Sequence, residues 1–213
     1  FDDAQHLLQS IIKDEKLEAK AVYGFFKAQS HNEEVKLFED QTSFYFPRQL
    51  MDKGSQPNFS LADYISPTGD DHIGLFAVTA GHGIENIIKE YQAKNDDYSE
   101  IMAKVLADRL AEAAAEWLHK KVRTEYWGYS KDEDLDLNAM LYEKYCGIRP
   151  APGYPACPDH KEKDKIWKLL NVEEQIGISL TESRAMFPAA SVCGWYFSHP
   201  KARYFSVLKN EEL

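Results

Sequence analysis

A proline-rich segment constrains the fold of this chain more than any other part of its sequence. Residues 149–160 read RPAPGYPACPDH, and four of the nine prolines of the chain lie there. Each proline fixes φ near −65° and removes an N–H donor, so the segment is neither a helix interior nor a central strand. We predict a stiff, extended loop whose carbonyl oxygens lack their usual backbone partners. Gly153 is the position at which this loop turns or lets a ligand approach the backbone.

Composition allows two interpretations of this loop. It opens with Arg149 and carries Tyr154 at its bend, which favours a binding element held on a rigid scaffold. It would equally serve as a proline-rich connection between two regular elements. The residues of the loop alone leave both interpretations open.

The bulk composition indicates a globular protein with one core. The chain has 213 residues, 44% apolar and 28% charged, which is enough for a sizeable core. Its net charge of −10 argues against nucleic acid or an anionic membrane as the main partner. No apolar run approaches the ~20 residues of a membrane span, and no signal segment opens the chain.

Three cysteines without framework spacing, Cys146, Cys157 and Cys193, favour a reducing cytoplasm. Because a helix signal follows Phe1 directly, we expect a piece cut from a longer polypeptide.

Hydrophobic patterns place strands toward both ends of the chain and helices between them. Apolar spacing from Leu7 to Ile12 predicts an N-terminal helix, and an apolar stripe over residues 98–122 predicts a helix of about seven turns. Further helices are predicted at residues 84–93, 137–145 and 165–176, and a loop at 51–60. Strands are predicted at residues 19–28 (buried), 35–45, 73–79, 179–185, 191–198 and 202–208. This order indicates an α+β fold with a mainly antiparallel sheet, whose first two strands form a hairpin.

Two short motifs suggest a site but have simpler explanations. Gly81-His82-Gly83 lies between a predicted strand and a helix, yet it lacks the GxGxxG spacing and the lysine of a phosphate loop. A tight turn explains it better. Cys157 and His160 are close in sequence, but a metal site needs three or four ligands and no second Cys/His cluster accompanies them. We therefore expect no structural metal, and without a motif such as GxSxG we predict no catalytic residue.

Several segments, in one order along nearly the whole chain, resemble a single protein family. They are GIRPAPGYPACPDH at 147–160, LTES at 180–183, GWYFSHP at 194–200, LADRLAEAAAEWLH at 106–119 and SLADYISP at 60–67. Together they resemble the activation domain of cobalamin-dependent methionine synthase, its C-terminal S-adenosylmethionine-binding module. We expect residues 1–213 to be this domain. The family pattern continues beyond both ends, and it includes an upstream Asp whose absence would weaken ligand binding.

The resemblance implies both a fold and a function. The fold would be a C-shaped single α+β domain with a twisted, mainly antiparallel β-sheet and flanking helices. The domain would bind S-adenosylmethionine and supply the methyl donor when cobalamin, oxidised to inactive cob(II)alamin, is reductively remethylated. Cobalamin would be bound by the partner domain of the same enzyme, and zinc only by its homocysteine domain. Flavodoxin or an equivalent reductase would supply the electron, and the isolated domain would not be catalytic by itself.

The resemblance also implies a set of site residues. The residues implied to bind S-adenosylmethionine are Arg149, Ala151, Tyr154, Tyr204 and Phe205, and the candidate pocket acids are Glu112 and Glu143. The chemistry of Arg149 suits this ligand, because a planar guanidinium can engage both oxygens of its carboxylate. Each of the two glutamates would equally fit a solvated helix face.

Two other functions remain open from the sequence. A self-sufficient S-adenosylmethionine-dependent methyltransferase of the common kind would alternate β and α elements and carry a Gly-rich loop after its first strand, and neither is present. A docking module that has lost its ligand would keep the fold and fail to bind. The net charge of −10 adds a constraint, since an acidic flavodoxin would need a local basic patch or the cobalamin domain to recruit it.

Overall fold

The computed structural model describes residues 2–51 and 54–207, in which helices and strands are mixed. The helices are α1 (Asp2–Lys13), α2 (Ile84–Gln92), α3 (Asp97–Lys121), α4 (Leu137–Leu141), α5 (Glu162–Leu170) and α6 (Val172–Ile176). The strands are β1 (Glu18–His31), β2 (Glu34–Leu37), β3 (Ser43–Tyr45), β4 (Asp71–His82), β5 (Ser179–Leu180), β6 (Met186–Phe187) and β7 (Ser191–Tyr196). A 3-10 turn covers Leu61–Tyr64, and a π-helical turn covers Val122–Tyr126. Among the described helices, none is long and apolar enough to cross a membrane.

Five of the strands form one antiparallel sheet in the order β3-β2-β1-β4-β7. The hairpin of β1 and β2 closes with His31 opposite Glu34, around a turn in which Asn32 has a φ of 53°. Strands β5 and β6 make a separate two-stranded sheet. The prediction of an α+β fold with a mainly antiparallel sheet is therefore confirmed.

The single strand predicted at residues 35–45 is wrong, because the chain reverses inside it. Strand β2 ends at Leu37 and β3 returns antiparallel to it, with Val35 opposite Phe44. The carboxylate of Asp40 makes the turn by accepting hydrogen bonds of 2.9 Å from both the amide and the hydroxyl of Thr42. Apolar residues continue on both sides of the turn, so hydrophobicity alone did not reveal it.

The first strand is present but is not buried as predicted. Over Glu18–His31 only Ala28 is fully buried, and its neighbours alternate between half-buried and exposed. Lysines at positions 20 and 27 reach solvent from this strand. The fully buried strand is β4, where the residues from Ile73 to Gly81 are all buried.

Two helix predictions were too long. The predicted helix at 165–176 is divided into α5 and α6 by Asn171, whose φ of 48° is left-handed and ends a helix. Gly177 ends α6 in the same region with a φ of 68°, as its glycine signal indicated. Helix α4 stops at Leu141, and the Asp136 carboxylate caps its start by accepting from the Ala139 amide at 2.7 Å.

Strand predictions for the last third of the chain were confirmed in part. Strand β7 lies within the predicted range 191–198, but only Ser179–Leu180 of the predicted range 179–185 is extended in a sheet. Residues 202–207 form no strand, and Leu208, the last residue of that prediction, lies outside the described residues. Within the predicted loop 51–60, positions 52 and 53 also lie outside them.

The chain divides into two compact units, and the first has an alanine-rich helical core. This unit contains α1, the segment Ala77–Leu118 and the segment Asn171–Val192. Ala103, Ala107 and Ala111 recur every four residues on one face of α3 and are buried with Ile84 and Ile87 of α2. Small side chains allow α3 to pack closely here.

The predicted apolar stripe is only in part the buried face of α3, since Leu118 is buried and Leu106 and Leu110 are partly buried against the alanine core. The large apolar side chains of the predicted stripe are more than half exposed at Tyr98, Ile101 and Trp117. A large apolar side chain contributes more than alanine to the hydrophobic periodicity of a helix, so the pattern did not reveal the alanine face.

The second unit has an aromatic core. It consists of Tyr23–Phe76, His119–Leu170 and the chain from Cys193 onward. The fully buried ring of Trp195 meets Phe44 and Phe46 edge-on, at centroid distances of 5.7 and 4.9 Å, and Phe197 packs on Phe46 at 5.6 Å. Edge-to-face packing of this kind stabilises a core beyond the area it buries. That residues 1–213 form a single domain stays a prediction.

A buried ion pair joins the π-helical turn of the second unit to Glu133. Both Nε and Nη2 of Arg123 donate to the carboxylate of Glu133, at 2.7 and 2.8 Å, and the two side chains are 0% and 5% exposed. The guanidinium also lies 3.9 Å from the ring centroid of Tyr145. Removing one member of a buried pair leaves the charge of the other in a medium that solvates it poorly.

We predict that Glu133→Gln lowers the free energy of unfolding by about 3 kcal/mol, because the Arg123 charge loses its opposing carboxylate. Chemical denaturation of the purified chain measures this change. Glu18→Gln is the control, since the Glu18–Lys20 pair is largely exposed and should change stability by less than ~0.5 kcal/mol. Equal small effects of the two substitutions would contradict the prediction.

Candidate ligand-binding site

The entrance to the proline-rich loop is hydrogen-bonded to strand β7 and the residue after it. The amides of Ile148 and Phe197 donate to each other's carbonyl oxygens at 3.0 Å, and the Trp195 amide donates to the Pro150 carbonyl at 3.0 Å. A side chain at Gly194 would collide with that same carbonyl oxygen. The glycine therefore allows the close approach that places Arg149 beside the sheet.

The middle of the loop is a tight turn. The Gly153 amide donates to the Cys157 carbonyl at 2.8 Å, and the Cys157 amide donates to the Tyr154 carbonyl at 2.9 Å. The prediction that the loop carbonyls lack partners is therefore wrong for several of them. Within the described residues the carbonyl oxygens of Pro152 and Gly153 accept no hydrogen bond, and Pro152 is buried while Gly153 is half-buried.

Gly153 has the left-handed backbone that the sequence suggested. Its φ is 91°, and a Cβ added at this position would overlap the imidazole of His160. Gly153 and His160 are thus packed against each other. Any L-residue at position 153 would be strained in its backbone and would displace the ring.

The Tyr204 segment, residues 199–207, is brought to the loop. The hydroxyl oxygen of Tyr204 accepts a hydrogen bond of 3.0 Å from the Arg149 amide. The Val207 amide donates to the Pro155 carbonyl at 2.8 Å. The structure thereby groups Arg149 and Tyr204 as the sequence analysis expected, although it does so without the expected strand.

The other five predicted site residues lie in different parts of the structure. Ala151 is half-buried and its carbonyl accepts from the Tyr154 amide at 3.4 Å, while the Tyr154 ring is 62% exposed at the bend. Phe205 lies among other rings, with its centroid 5.9 Å from that of Phe59. Glu143 is exposed just after α4, and Glu112 is an exposed residue of α3 in the first unit. The ligand roles of all seven residues stay predictions.

A buried histidine that the sequence analysis missed lies behind Arg149. His119 is fully buried, its ring stacks on that of Tyr196 at 5.1 Å, and its Nε2 lies 3.3 Å from the Tyr129 hydroxyl. Burial, followed by the positive charges of Arg123 and Arg149, lowers the pKa of His119 well below its ordinary value. The imidazole is therefore neutral, and the positive charge beside the loop belongs to the guanidinium groups. The only sequence signal was a histidine at the end of an apolar helix.

The cysteines and histidines of the described chain do not form a metal centre. Among described residues, no group of three or more His, Cys, Asp or Glu side chains could hold a metal ion. Cys157 is buried, and burial raises the pKa of its thiol to about 12. The Gly81-His82-Gly83 motif joins a strand to a helix. Strand β4 continues through His82, and Gly83, with a φ of 95°, makes the turn into α2.

We predict that Gly153→Ala lowers the free energy of unfolding by about 1–2 kcal/mol through backbone strain alone, with a further loss from the clash with His160. Denaturant titration measures both parts. Gly54→Ala is the matched control, because Gly54 has a φ of 61° and no described atom within 4 Å of an added Cβ. A second variant, His160→Ala combined with Gly153→Ala, should return the loss to the level of the control. An equal loss for Gly153→Ala and Gly54→Ala would contradict the predicted clash, because it would show that the imidazole of His160 moves aside freely.

The fold and the site together define a class of protein. The proline-rich loop groups an arginine, neighbouring aromatic side chains and two carbonyl oxygens that accept no hydrogen bond within the described residues on an antiparallel α+β scaffold, an arrangement typical of a binding module for a small polar ligand.

Comparison with known proteins identifies the family within this class. Residues 1–212 match the family model of the vitamin B12 dependent methionine synthase activation domain, and the chain belongs to this family. Its structure is similar to the crystal structure of the MetH reactivation domain bound to AdoHcy, with a TM-score of 0.94. The two share 44% sequence identity over 98% of this chain and 67% of that chain. The resemblance inferred from the sequence motifs is confirmed.

Proposed function

We propose that this chain binds S-adenosylmethionine as the reactivation module of a cobalamin-dependent methionine synthase. It would supply the methyl donor for reductive remethylation of inactive cob(II)alamin. The single observation that carries this proposal is the hydrogen bond of 3.0 Å between the Arg149 amide and the Tyr204 hydroxyl, which unites the two predicted ligand-binding segments. A structural relative at 44% identity, crystallised with AdoHcy, supports the same ligand class.

The residues of the site fit the chemical groups of this ligand. S-adenosylmethionine carries a carboxylate, an ammonium, an adenine and an electrophilic methyl group on its sulfonium. The Arg149 guanidinium would bind the carboxylate through two parallel hydrogen bonds. The carbonyl oxygens of Pro152 and Gly153, which accept no hydrogen bond within the described residues, would accept from the ammonium or the adenine amino group.

Other predicted residues would enclose the ligand. The exposed ring of Tyr154 and the ring of Tyr204, which is 41% exposed, present faces on which an adenine can stack. We propose backbone contacts from Ala151 and ring contacts from Phe205, with Glu112 and Glu143 as acids that would favour the ammonium. None of these side chains is a nucleophile paired with a base, so the proposed role of the module is binding and orientation.

The partner of the module follows from its family. We propose that it acts against the cobalamin-binding domain of the same enzyme, in the cytoplasm, and that flavodoxin or an equivalent reductase supplies the electron. A net charge of −10 would repel an acidic reductase over most of the surface, so recruitment would depend on a local basic patch or on the cobalamin domain.

We predict that Arg149→Ala weakens binding by about 2–3 kcal/mol, some tens- to hundredfold in affinity, because a charge-assisted contact with the carboxylate is lost. Arg149→Lys should recover only part of this loss, since lysine keeps the charge and lacks the planar fork. Isothermal titration with S-adenosylhomocysteine measures the affinity, and thermal melts of the same samples measure stability. The melting temperature should hardly change.

The control for this experiment is Arg109→Ala, which removes an exposed arginine of α3 and keeps the same net charge as Arg149→Ala. It separates loss of a specific contact from a general change in charge. Unchanged affinity of Arg149→Ala together with a large drop in melting temperature would make Arg149 a structural residue, and the main support for the ligand site would be lost.

We predict that the chain transfers no methyl group on its own, because the proposed methyl acceptor, the cobalt of cobalamin, would lie in the partner domain. The test is incubation with labelled S-adenosylmethionine and homocysteine in the absence of any cobalamin protein. Turnover above background would favour the alternative of a self-sufficient methyltransferase. Failure of the chain to bind S-adenosylhomocysteine in the titration would instead favour a docking module without a ligand.

A further inference from the structure

We propose that Gln49 is a positioning residue of the ligand site, which holds the Tyr204 segment in place over the proline-rich loop. This inference rests on the proposed function of the site. It concerns a residue that lies far from the loop in sequence and belongs to none of the motifs that carried the family resemblance.

The Tyr204 segment has no β-ladder to hold it. Residues 202–207 form no helix or strand, although a predicted ligand residue, Tyr204, lies at their centre. The Ala202 amide donates to the His199 carbonyl at 2.9 Å, and at the end of the segment the Val207 amide donates to the Pro155 carbonyl. An irregular segment can orient a ligand only if tertiary contacts define its conformation, because each free residue would otherwise lose entropy on binding.

Gln49 supplies such contacts from both ends of its amide group. Its Nε2 donates to the Ser206 carbonyl at 2.7 Å, and its Oε1 accepts from the Phe59 amide at 3.0 Å. The Gln49 backbone amide also donates to the Phe59 carbonyl at 3.0 Å. The side chain is almost fully buried, with 4% of the residue exposed. A buried amide with a donor and an acceptor engaged is fixed in orientation and is costly to replace.

The aromatic residue that Gln49 holds also contacts the segment. The ring of Phe59 lies 5.9 Å from that of Phe205 and 4.4 Å from the guanidinium carbon of Arg203. The hydroxyl of Tyr64 lies 3.3 Å from both the amide nitrogen and the carbonyl oxygen of Arg203. Gln49, Phe59 and Tyr64 therefore contact the segment on either side of Tyr204.

The contacts that position the Tyr204 segment are different from those that hold the proline-rich loop. The loop has its own hydrogen bonds through Ile148 and Pro150, which do not involve Gln49. Loss of the Gln49 amide should therefore leave Arg149 in place and release the backbone at Ser206, two residues after Tyr204. The expected consequence is weaker ligand binding with local mobility of the Tyr204 segment, rather than general unfolding.

The test is Gln49→Met, which keeps the length of the side chain and removes both hydrogen bonds. We expect affinity for S-adenosylhomocysteine to fall on the order of tenfold, as for loss of one or two neutral hydrogen bonds. Hydrogen exchange followed by mass spectrometry should show faster exchange in peptides covering residues 199–207 and unchanged exchange in β4. The matched control is Gln175→Met, at an exposed glutamine of α6.

Two further variants make the test specific. Gln49→Glu keeps the acceptor for the Phe59 amide but faces the Ser206 carbonyl with an oxygen, so it should bind no better than Gln49→Met. Tyr64→Phe removes only the hydroxyl near Arg203 and should give a smaller loss of affinity with faster exchange in the same peptides. This second position keeps the proposal testable if Gln49→Met does not fold.

The outcomes distinguish this inference from the function on which it rests. If the unmodified chain fails to bind S-adenosylhomocysteine, the proposed function is wrong and this inference falls with it. If the unmodified chain binds and the variants at Gln49 and Tyr64 bind equally well, only this inference is overturned. Faster exchange throughout the chain, with a lower melting temperature, would also overturn it, since Gln49 would then be a general stabilising residue.

Discussion

The prolines at the start of the loop have no N–H group to donate. Amides of strand β7 and of the residue after it donate to the loop carbonyls instead and hold the loop to the sheet. The Trp195 amide donates to the Pro150 carbonyl, and Ile148 and Phe197 form a bridge immediately beside it. Arg149 lies between these two attachments. Its backbone is therefore held in place on both sides, while its amide remains directed at the Tyr204 hydroxyl. A site built in this way needs little rearrangement when a ligand arrives, which favours affinity.

The parts of the fold that were predicted from sequence depend on local signals. Prolines and Gly153 specify the loop through backbone geometry, and Gly177 ends its helix because it tolerates a left-handed conformation. These effects act within a few residues, so they can be recognised in one sequence. The family motifs added the identity of the ligand, which no local rule contains.

The parts that were not predicted depend on contacts between distant residues. Gln49 donates to a backbone carbonyl 157 positions later, in a segment whose residues 202–207 form no strand, contrary to the prediction. His119 is recognisable as a neighbour of Arg149 only once the fold brings the two together. The turn between β2 and β3 was hidden because both flanking segments are apolar. In the turn and in the Tyr204 segment the hydrophobic pattern was compatible with two structures, and polar contacts accompany the one that formed.

Burial of Cys157 has a consequence for a protein that handles an alkylating compound. The thiol belongs to the same loop as Arg149, and with a pKa of about 12 it is almost entirely protonated at neutral pH. Only the thiolate attacks an electrophilic methyl group, so this buried thiol is a poor nucleophile. A solvent-exposed cysteine at this position would be a competing acceptor for the methyl group. Burial of the sulfur would therefore protect the loop from chemical modification by the ligand that it is proposed to bind.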